Sequence, residues 1–318
     1  MSESSNAAYC AICAQAILRR VKAVRKQVRP VRKGKDPDAI HDMRVASRRL
    51  RAALALFEPC GPSRWQRWRV KIRKVTRALG AARDLDVQIA TVQAIKRQPS
   101  HASWGAGLDC LLTNLRQRRR GAQGKVDKAL ARMDDSGILD EMDKSLGKLA
   151  KRARQPEDGA QQATTRQLAQ KMILGLLDDL ESYDSDLARP KAIDSHHAMR
   201  IAAKHLRYSL EVFEPLYGGR LKPALRCAKQ MQTLLGELHD CDVWITTLPE
   251  FLAGETATVA DDPQKLEPLV KGIEAFRRDR IRRRQTIYRQ CLRRWQQCKT
   301  QKVWSKLRQI LRIAVGAG

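Results

Sequence analysis

Residues 41–51 place four basic side chains at helical spacing. His41, Arg44, Arg48 and Arg51 are three or four positions apart, so at about 100° per residue they fall on one face of a helix. The opposite face collects the apolar residues Met43, Ala46, Leu50, Ala53, Leu54 and Phe57. Small or apolar residues also flank the basic row, which favours a row that faces a groove over one that faces bulk water. Such a row predicts an anion-binding site.

The same pattern returns 156 positions later, in residues 197–207. The register holds over residues 41–87 and 197–243, which predicts an internal duplication. Besides Arg64 and Arg220, for which a solvated helix face stays a strong alternative, the positions that keep a histidine or a cation in both copies are His41, Arg44, Arg48, Arg51 and Arg73 in the first, and His197, Arg200, Lys204, Arg207 and Lys229 in the second. Retention in both copies makes these ten residues the candidate binding site. For the two histidines, a core or capping role is an equal alternative.

The residue types in this row suit phosphate. Arginine keeps its charge, and its planar fork meets two phosphoryl oxygens at once. The chain has 62 Lys and Arg against 34 Asp and Glu, a formal net charge of +28, which predicts a polyanionic partner. From His41 to Arg51 a helix rises about 15 Å, which is long enough to follow several phosphates of a linear polyanion.

Other sequence features argue against catalysis. Asp84 and Asp86, like Asp240 and Asp242, are two positions apart and do not share a helix face. We expect them to cap the following helix or to hold arginines by ion pairs. The His41-Asp42 pair resembles a motif of metal-dependent phosphohydrolases, but the second copy has alanine after its histidine, and no P-loop pattern occurs. We therefore predict no catalytic residues, no metal and no cofactor.

The rest of the chain predicts helices and no strands, because almost nothing alternates at period two. The first helix should end at about Val28, before Pro30, and the third at Gly80, followed by a shorter helix launched by residues 83–86. In the second copy, separate helices are expected at 220–235 and 242–251. We predict one domain over residues 1–318, made of repeats at about 6–153 and 160–315 with a linker at 154–159.

The eight cysteines lack a spaced framework, since Cys10 and Cys13 form the only Cys-x-x-Cys pair. We expect reduced thiols. The N-terminus has no positively charged signal-peptide region, and no stretch approaches the roughly 20 apolar residues of a membrane helix. The prediction is a cytoplasmic protein without membrane insertion.

The repeated motifs also resemble a known family. His-x-x-Arg-x-x-x-Arg-Arg-Leu-Arg with Leu-Gly-x-x-Arg-Asp-x-Asp-Val, and the second copy His-x-x-Arg-x-x-x-Lys-x-Leu-Arg-Tyr with Leu-Gly-Glu-Leu-His-Asp-x-Asp-Val, resemble the CHAD family, the conserved histidine α-helical domain. The resemblance implies an all-α fold of two pseudo-symmetric helical bundles whose basic rows meet around a central channel that binds inorganic polyphosphate. His205 departs from the pattern, since the family usually has a second Lys or Arg there.

Three functions remain open from the sequence. The first is non-enzymatic binding of inorganic polyphosphate, with localisation to polyphosphate granules. The second is nucleic-acid binding, which the charge supports equally well because counterion release drives both associations. An aromatic content of only 5% and the absence of a recognition-helix or zinc-finger pattern argue against it. The third is hydrolysis of polyphosphate or a phosphate ester, which lacks a base or metal set.

Overall fold

The computed structural model describes residues 7–33, 38–60, 64–152, 159–258 and 262–316. Over these ranges the chain consists of α-helices joined by short turns and 3-10 segments, without a β-strand. The helices are α1 (Ala7–Lys33), α2 (Ala39–Leu56), α3 (Trp65–Lys96), α4 (Gly105–Asp135), α5 (Ile138–Arg152), α6 (Gly159–Glu181), α7 (Asp184–Leu187), α8 (Ile193–Phe213), α9 (Lys222–Thr258), α10 (Pro263–Thr300) and α11 (Val303–Gly316). The all-α prediction is confirmed.

The two halves of the chain arrange their helices in the same order. In the N-terminal half, α1 to α5, α1 packs against α2 and α5, and α3 packs against α2 and α4. In the C-terminal half, α6 to α11, α6 packs against α8 and α11, and α9 packs against α8 and α10. This correspondence agrees with the 156-residue register. The duplication itself and the repeat boundaries stay predictions, and the predicted linker lies outside the described residues except for Gly159.

Contacts between α2 and α8, between α4 and α10, and between α1 and α6 join the halves. Buried apolar residues from both halves form one cluster, in which α2 contributes Met43, Leu50 and Leu54, each fully buried. At the α4–α10 crossing the backbones touch. A Cβ added at Gly272 would lie 2.7 Å from the carbonyl oxygen of Trp104 and 3.1 Å from the Cα of Gly107. Glycine is required here because a side chain would separate the helices.

Three predicted helix boundaries are wrong. Helix α1 continues through Pro30 to Lys33, and α3 runs without interruption past Gly80. The segments expected at 220–235 and 242–251 are parts of the single helix α9. An interior proline costs about 3 kcal/mol and a glycine about 1 kcal/mol, but burial of flanking side chains such as Val31 and Leu79 offsets these amounts. Tertiary packing overrides the local breaker signals.

The expectation of reduced thiols is also wrong for four cysteines. Cys10 forms a disulfide with Cys60, and Cys227 forms one with Cys298, with Cα–Cα distances of 5.5 and 6.7 Å. Cys13, Cys110, Cys241 and Cys291 are free. The pairs are 50 and 71 residues apart in sequence, so only the packing of the helices brings them together. The first bond lies within the N-terminal half and the second within the C-terminal half.

Candidate functional site: a basic groove

A groove of about 560 Å³ lies where α2, α3 and α8 meet, and we call it the basic groove. Its lining residues are Arg44, Arg48, Arg51, Ala52 and Ala55 from α2, Gln66, Arg69, Val70, Arg73, Thr76 and Gly80 from α3, and Arg200, Lys204, His205 and Tyr208 from α8. Helix α2 can supply three arginines because its apolar face is buried elsewhere. The basic row therefore faces the groove, as the sequence pattern predicts.

Seven of the lining side chains are cations, and none of the lining residues among those described is acidic. Among the described residues, two carboxylates from outside the lining form ion pairs with groove cations. Asp84 Oδ1 lies 3.1 Å from Arg44 Nη2, and Glu58 Oε1 lies 3.4 Å from Arg69 Nη1. Both carboxylates are well exposed, so they screen these arginines only weakly. The groove keeps a large excess of positive charge.

This charge is partly removed from water. Burial, with further lowering by neighbouring arginines, reduces the pKa of Arg48 and of Arg51 below the usual arginine value. For Lys204, burial first and four arginines second lower the pKa from 10.5 to about 8. Cations held this close repel one another, and an anion in the groove would relieve that repulsion.

Six of the ten predicted residues line the groove: Arg44, Arg48, Arg51, Arg73, Arg200 and Lys204. They come from the consecutive helices α2 and α3 and from the distant helix α8, so both copies of the motif contribute. His205, the departure from the family pattern, also lines the groove. Its pKa is lowered by burial and by the nearby Lys204. Position 205 therefore adds no fixed charge where the family usually has one.

Two predicted cations lie elsewhere. The Nε of Arg207 is 2.9 Å from Glu211 Oε1, and Nη1 donates to Gln232 at 3.3 Å. Lys229 is exposed and lines a separate surface pocket of about 470 Å³ with Arg226 and Arg294. The structure thus places Arg207 and Lys229 outside the lining of the basic groove, and a role of either residue in binding stays a prediction.

The two predicted histidines are outside the groove lining as well. His41 is half-buried on α2. His197 contacts His239 of α9, with the two Nδ1 atoms 3.1 Å apart. Burial lowers the pKa of His197, and burial, Arg200 and His197 lower the pKa of His239 to about 4. Both rings are therefore neutral at pH 7, and one donates to the other.

Three of the four paired aspartates form ion pairs, and none of the four caps a helix. All four lie inside the continuous helices α3 and α9, so the capping expectation is wrong. Asp86 contacts Arg119 at 2.6 Å, and the buried Asp242 contacts Arg284. Burial raises the pKa of Asp240, and Arg200 opposes that shift. The expectation of ion pairs with neighbouring arginines holds for Asp84, Asp86 and Asp242.

Sequence reasoning missed Arg69 and Tyr208 as lining residues. Arg69 precedes Arg73 by four positions, so the two share a face of α3, and this spacing could have identified it. Tyr208 follows Arg207 in the second motif, and its ring lies 5.4 Å from the guanidinium carbon of that arginine. Tyr208 also follows Lys204 by four positions, so the same spacing could have placed it on the groove face of α8.

In the described part of the chain, no helix is long and apolar enough to cross a membrane. No group of three or more His, Cys, Asp or Glu residues within the same ranges is placed to hold a metal ion.

Helix order, packing and groove define an all-α protein with a cation-lined groove between its two halves. The chain belongs to the CHAD domain family, whose model matches residues 15–249. The CHAD domain from the plant Ricinus communis is 26% identical, with a TM-score of 0.57 over 83% of this chain and 91% of that one. PptA from Streptomyces chartreusis shares the fold at 16% identity and a TM-score of 0.57, over 90% of this chain and 99% of that one. A search of curated protein sequences returned no match.

Proposed function

We propose that this protein binds inorganic polyphosphate in the basic groove without hydrolysing it. The observation that carries the proposal is the lining itself, in which seven cations meet without an acidic residue among the described lining positions. A polyphosphate chain carries about one negative charge per phosphate and has no bases. Its host therefore needs a row of cations and no stacking platform.

The shape of the charge supports a linear ligand. Arg44, Arg48 and Arg51 follow the axis of α2, and the row from Arg44 to Ala55 rises about 17 Å. Arg200 and Lys204 of α8 stand across from them. A single phosphate would satisfy only a few of these cations, whereas an extended chain could contact them in succession.

Binding without turnover follows from the chemistry of the same side chains. The uncharged polar groups of the lining are Gln66, Thr76 and Tyr208, together with the His205 ring. Among the described lining residues no carboxylate is available as a general base. The cations would stabilise the bound polyphosphate chain in its ground state, which raises affinity without accelerating hydrolysis. In a cell that contains polyphosphate granules, this affinity would bring the protein to them.

Nucleic acid is the alternative partner, because a basic groove attracts any polyanion. Tyr208 and the imidazole of His205 are the only aromatic rings among the described lining residues, so successive bases would find no extended platform. The groove should therefore prefer polyphosphate, which has no bases, over nucleic acid.

The test is a competition at about 150 mM salt, where surface charges are screened beyond about 8 Å. Fluorescent long-chain polyphosphate is displaced by unlabelled polyphosphate or by duplex DNA of equal charge. We expect polyphosphate to compete at least tenfold better and no orthophosphate to be released. Equal competition by DNA would favour the nucleic-acid alternative. Steady orthophosphate release that is lost on Asp84→Asn or His41→Ala would show an enzyme.

A further inference from the structure

The two halves of the protein do not offer equal binding surfaces, and the difference lies at one pair of matched positions. In the 156-residue register, Arg51 corresponds to Arg207, and Ala55 corresponds to Glu211. Arg51 and Ala55 line the basic groove, whereas Arg207 and Glu211 pair with each other at 2.9 Å. The same helix face is therefore open in one half and neutralised in the other.

Glu211 neutralises more than one cation. Its second carboxylate oxygen, Oε2, lies 3.4 Å from Nε of Arg49 on α2, while Oε1 holds Arg207. The Glu211 side chain is only 19% exposed, so water screens these contacts weakly. By contrast, the charged groups around Arg51 are the cations Arg69, Arg73 and Arg77. These neighbours of Arg51, the counterpart of Arg207, repel its charge until an anion binds.

We propose that Glu211 is a specificity-determining residue that ends the polyphosphate path at the C-terminal half. Its carboxylate occupies Arg207 as an internal anion, so a bound chain contacts the cations of α2, α3 and the first turns of α8 and goes no further. This inference rests on the polyphosphate binding proposed above. It adds that the site has a defined length, set on one side by a single carboxylate.

The consequence is a limit on useful chain length. A polyphosphate that already fills the basic groove gains no affinity from additional phosphates, because the next cation, Arg207, is already paired with Glu211. Removing the carboxylate would free Arg207 to contact phosphate. It would also lower the local negative charge, and both effects extend the path.

The experiment measures dissociation constants for polyphosphates of increasing chain length with the parent and Glu211→Ala, which reproduces the alanine of the other half. Affinity of the parent should stop rising at a shorter length than that of the variant. For the longest chains the variant should bind about tenfold more tightly. Its plot of log affinity against log salt should be steeper by about 0.7, the contribution of one added phosphate contact.

Glu181→Gln is the matched control. Like Glu211→Ala, it removes one negative charge. The lost carboxylate pairs with Arg308, in a contact between α6 and α11 that is outside the groove lining. We expect its chain-length profile to equal that of the parent. A profile of Glu181→Gln that shifts as much as that of Glu211→Ala would show an effect of net charge and overturn the proposal.

The reverse change tests the same idea without removing an ion pair. Ala55→Glu places a carboxylate at an exposed groove position beside Arg51, so the fold should tolerate it. It should weaken polyphosphate binding about tenfold and shorten the length at which affinity levels off. If the parent binds polyphosphate but neither Glu211→Ala nor Ala55→Glu moves this length, Glu211 does not set the path. If the parent does not bind polyphosphate, the proposed function itself fails.

Discussion

Lys204 lies among arginines whose charge, after burial, holds its pKa at about 8. A polyanion favours the charged amine, so binding is at full strength below pH 8. Above that pH, binding must first protonate the amine. We expect parent affinity for polyphosphate to fall by up to about tenfold per pH unit above 8, with proton uptake on binding. Calorimetry in buffers of different ionisation enthalpy measures this uptake.

Lys204→Arg is the control for this pH dependence, because an arginine there stays charged. Its affinity should change little between pH 7 and 9. The pKa shift also predicts a stability effect. Between pH 8 and 10.5 the unfolded chain holds the Lys204 proton and the folded chain does not, so this group's contribution to the free energy of unfolding rises with pH. Lys204→Met should therefore be more stable than the parent at pH 7 and lose that advantage as pH rises through this window. Equal pH profiles for parent and Lys204→Arg would contradict the assignment.

Arg48 contacts the groove from the middle of the α2 row. Arg48→Gln should weaken polyphosphate binding by roughly 10- to 150-fold, since a charge-assisted contact contributes about 1.5–3 kcal/mol. The fold should keep or gain thermal stability, because burial and repulsion already disfavour this charge. Equilibrium binding and thermal unfolding measure the two effects.

Arg282→Gln is the charge-matched comparison for Arg48→Gln. The Arg282 side chain is 66% exposed on α10, so its loss should change affinity by less than about threefold. Wild-type affinity in Arg48→Gln, or a larger loss in Arg282→Gln, would place the binding surface elsewhere.

The helices themselves could be predicted from the sequence more securely than their ends. The 3.6-residue periodicity around Met43 and Leu50 identifies α2 because burial of one face is a local property of the pattern. The ends at Pro30 and Gly80 were misplaced, since both residues lie in helices that distant packing stabilises. Local signals carry no information about those partners.

The residues of the site, too, could be predicted only in part from the sequence. The α2 row follows from spacing alone, and its three arginines, Arg44, Arg48 and Arg51, line the groove. Arg207 and Glu211 are four positions apart on α8, so their spacing could have indicated the ion pair. The position of Lys229 in another pocket depends on how α9 packs, which the register does not give.

Helices α4 and α10 cross so closely that one added carbon atom should disturb their contact. In Gly272→Ala the new Cβ would meet backbone atoms of Trp104 and Gly107 that no rotamer change can move. We expect a loss of about 1–3 kcal/mol in the free energy of unfolding, measured by denaturant titration. Gly121→Ala on α4 has no atom within 4 Å of the added Cβ, so it should gain up to about 1 kcal/mol. Equal stability of the two variants would contradict the close crossing.

At the scale of the whole molecule, a net charge of +28 governs how salt affects stability. Salt should raise the melting temperature of the free protein between about 0.02 and 0.15 M, because screening weakens self-repulsion as the Debye length shrinks to about 8 Å. With polyphosphate bound, the same addition should lower the melting temperature, since it weakens the complex. Thermal unfolding across a salt series, with and without ligand, measures the two slopes. Slopes of equal sign would mean that the ligand does not neutralise the repelling charge.

The two disulfides close covalent loops over residues 10–60 and 227–298, one in each half of the chain. A protease that cuts inside either loop would leave its fragments joined until a reductant is added. A cut between residues 60 and 227 falls outside both loops and would release two separate pieces under denaturing conditions, oxidised or not. Gels run with and without reductant would therefore distinguish cuts inside a disulfide loop from cuts between the two loops.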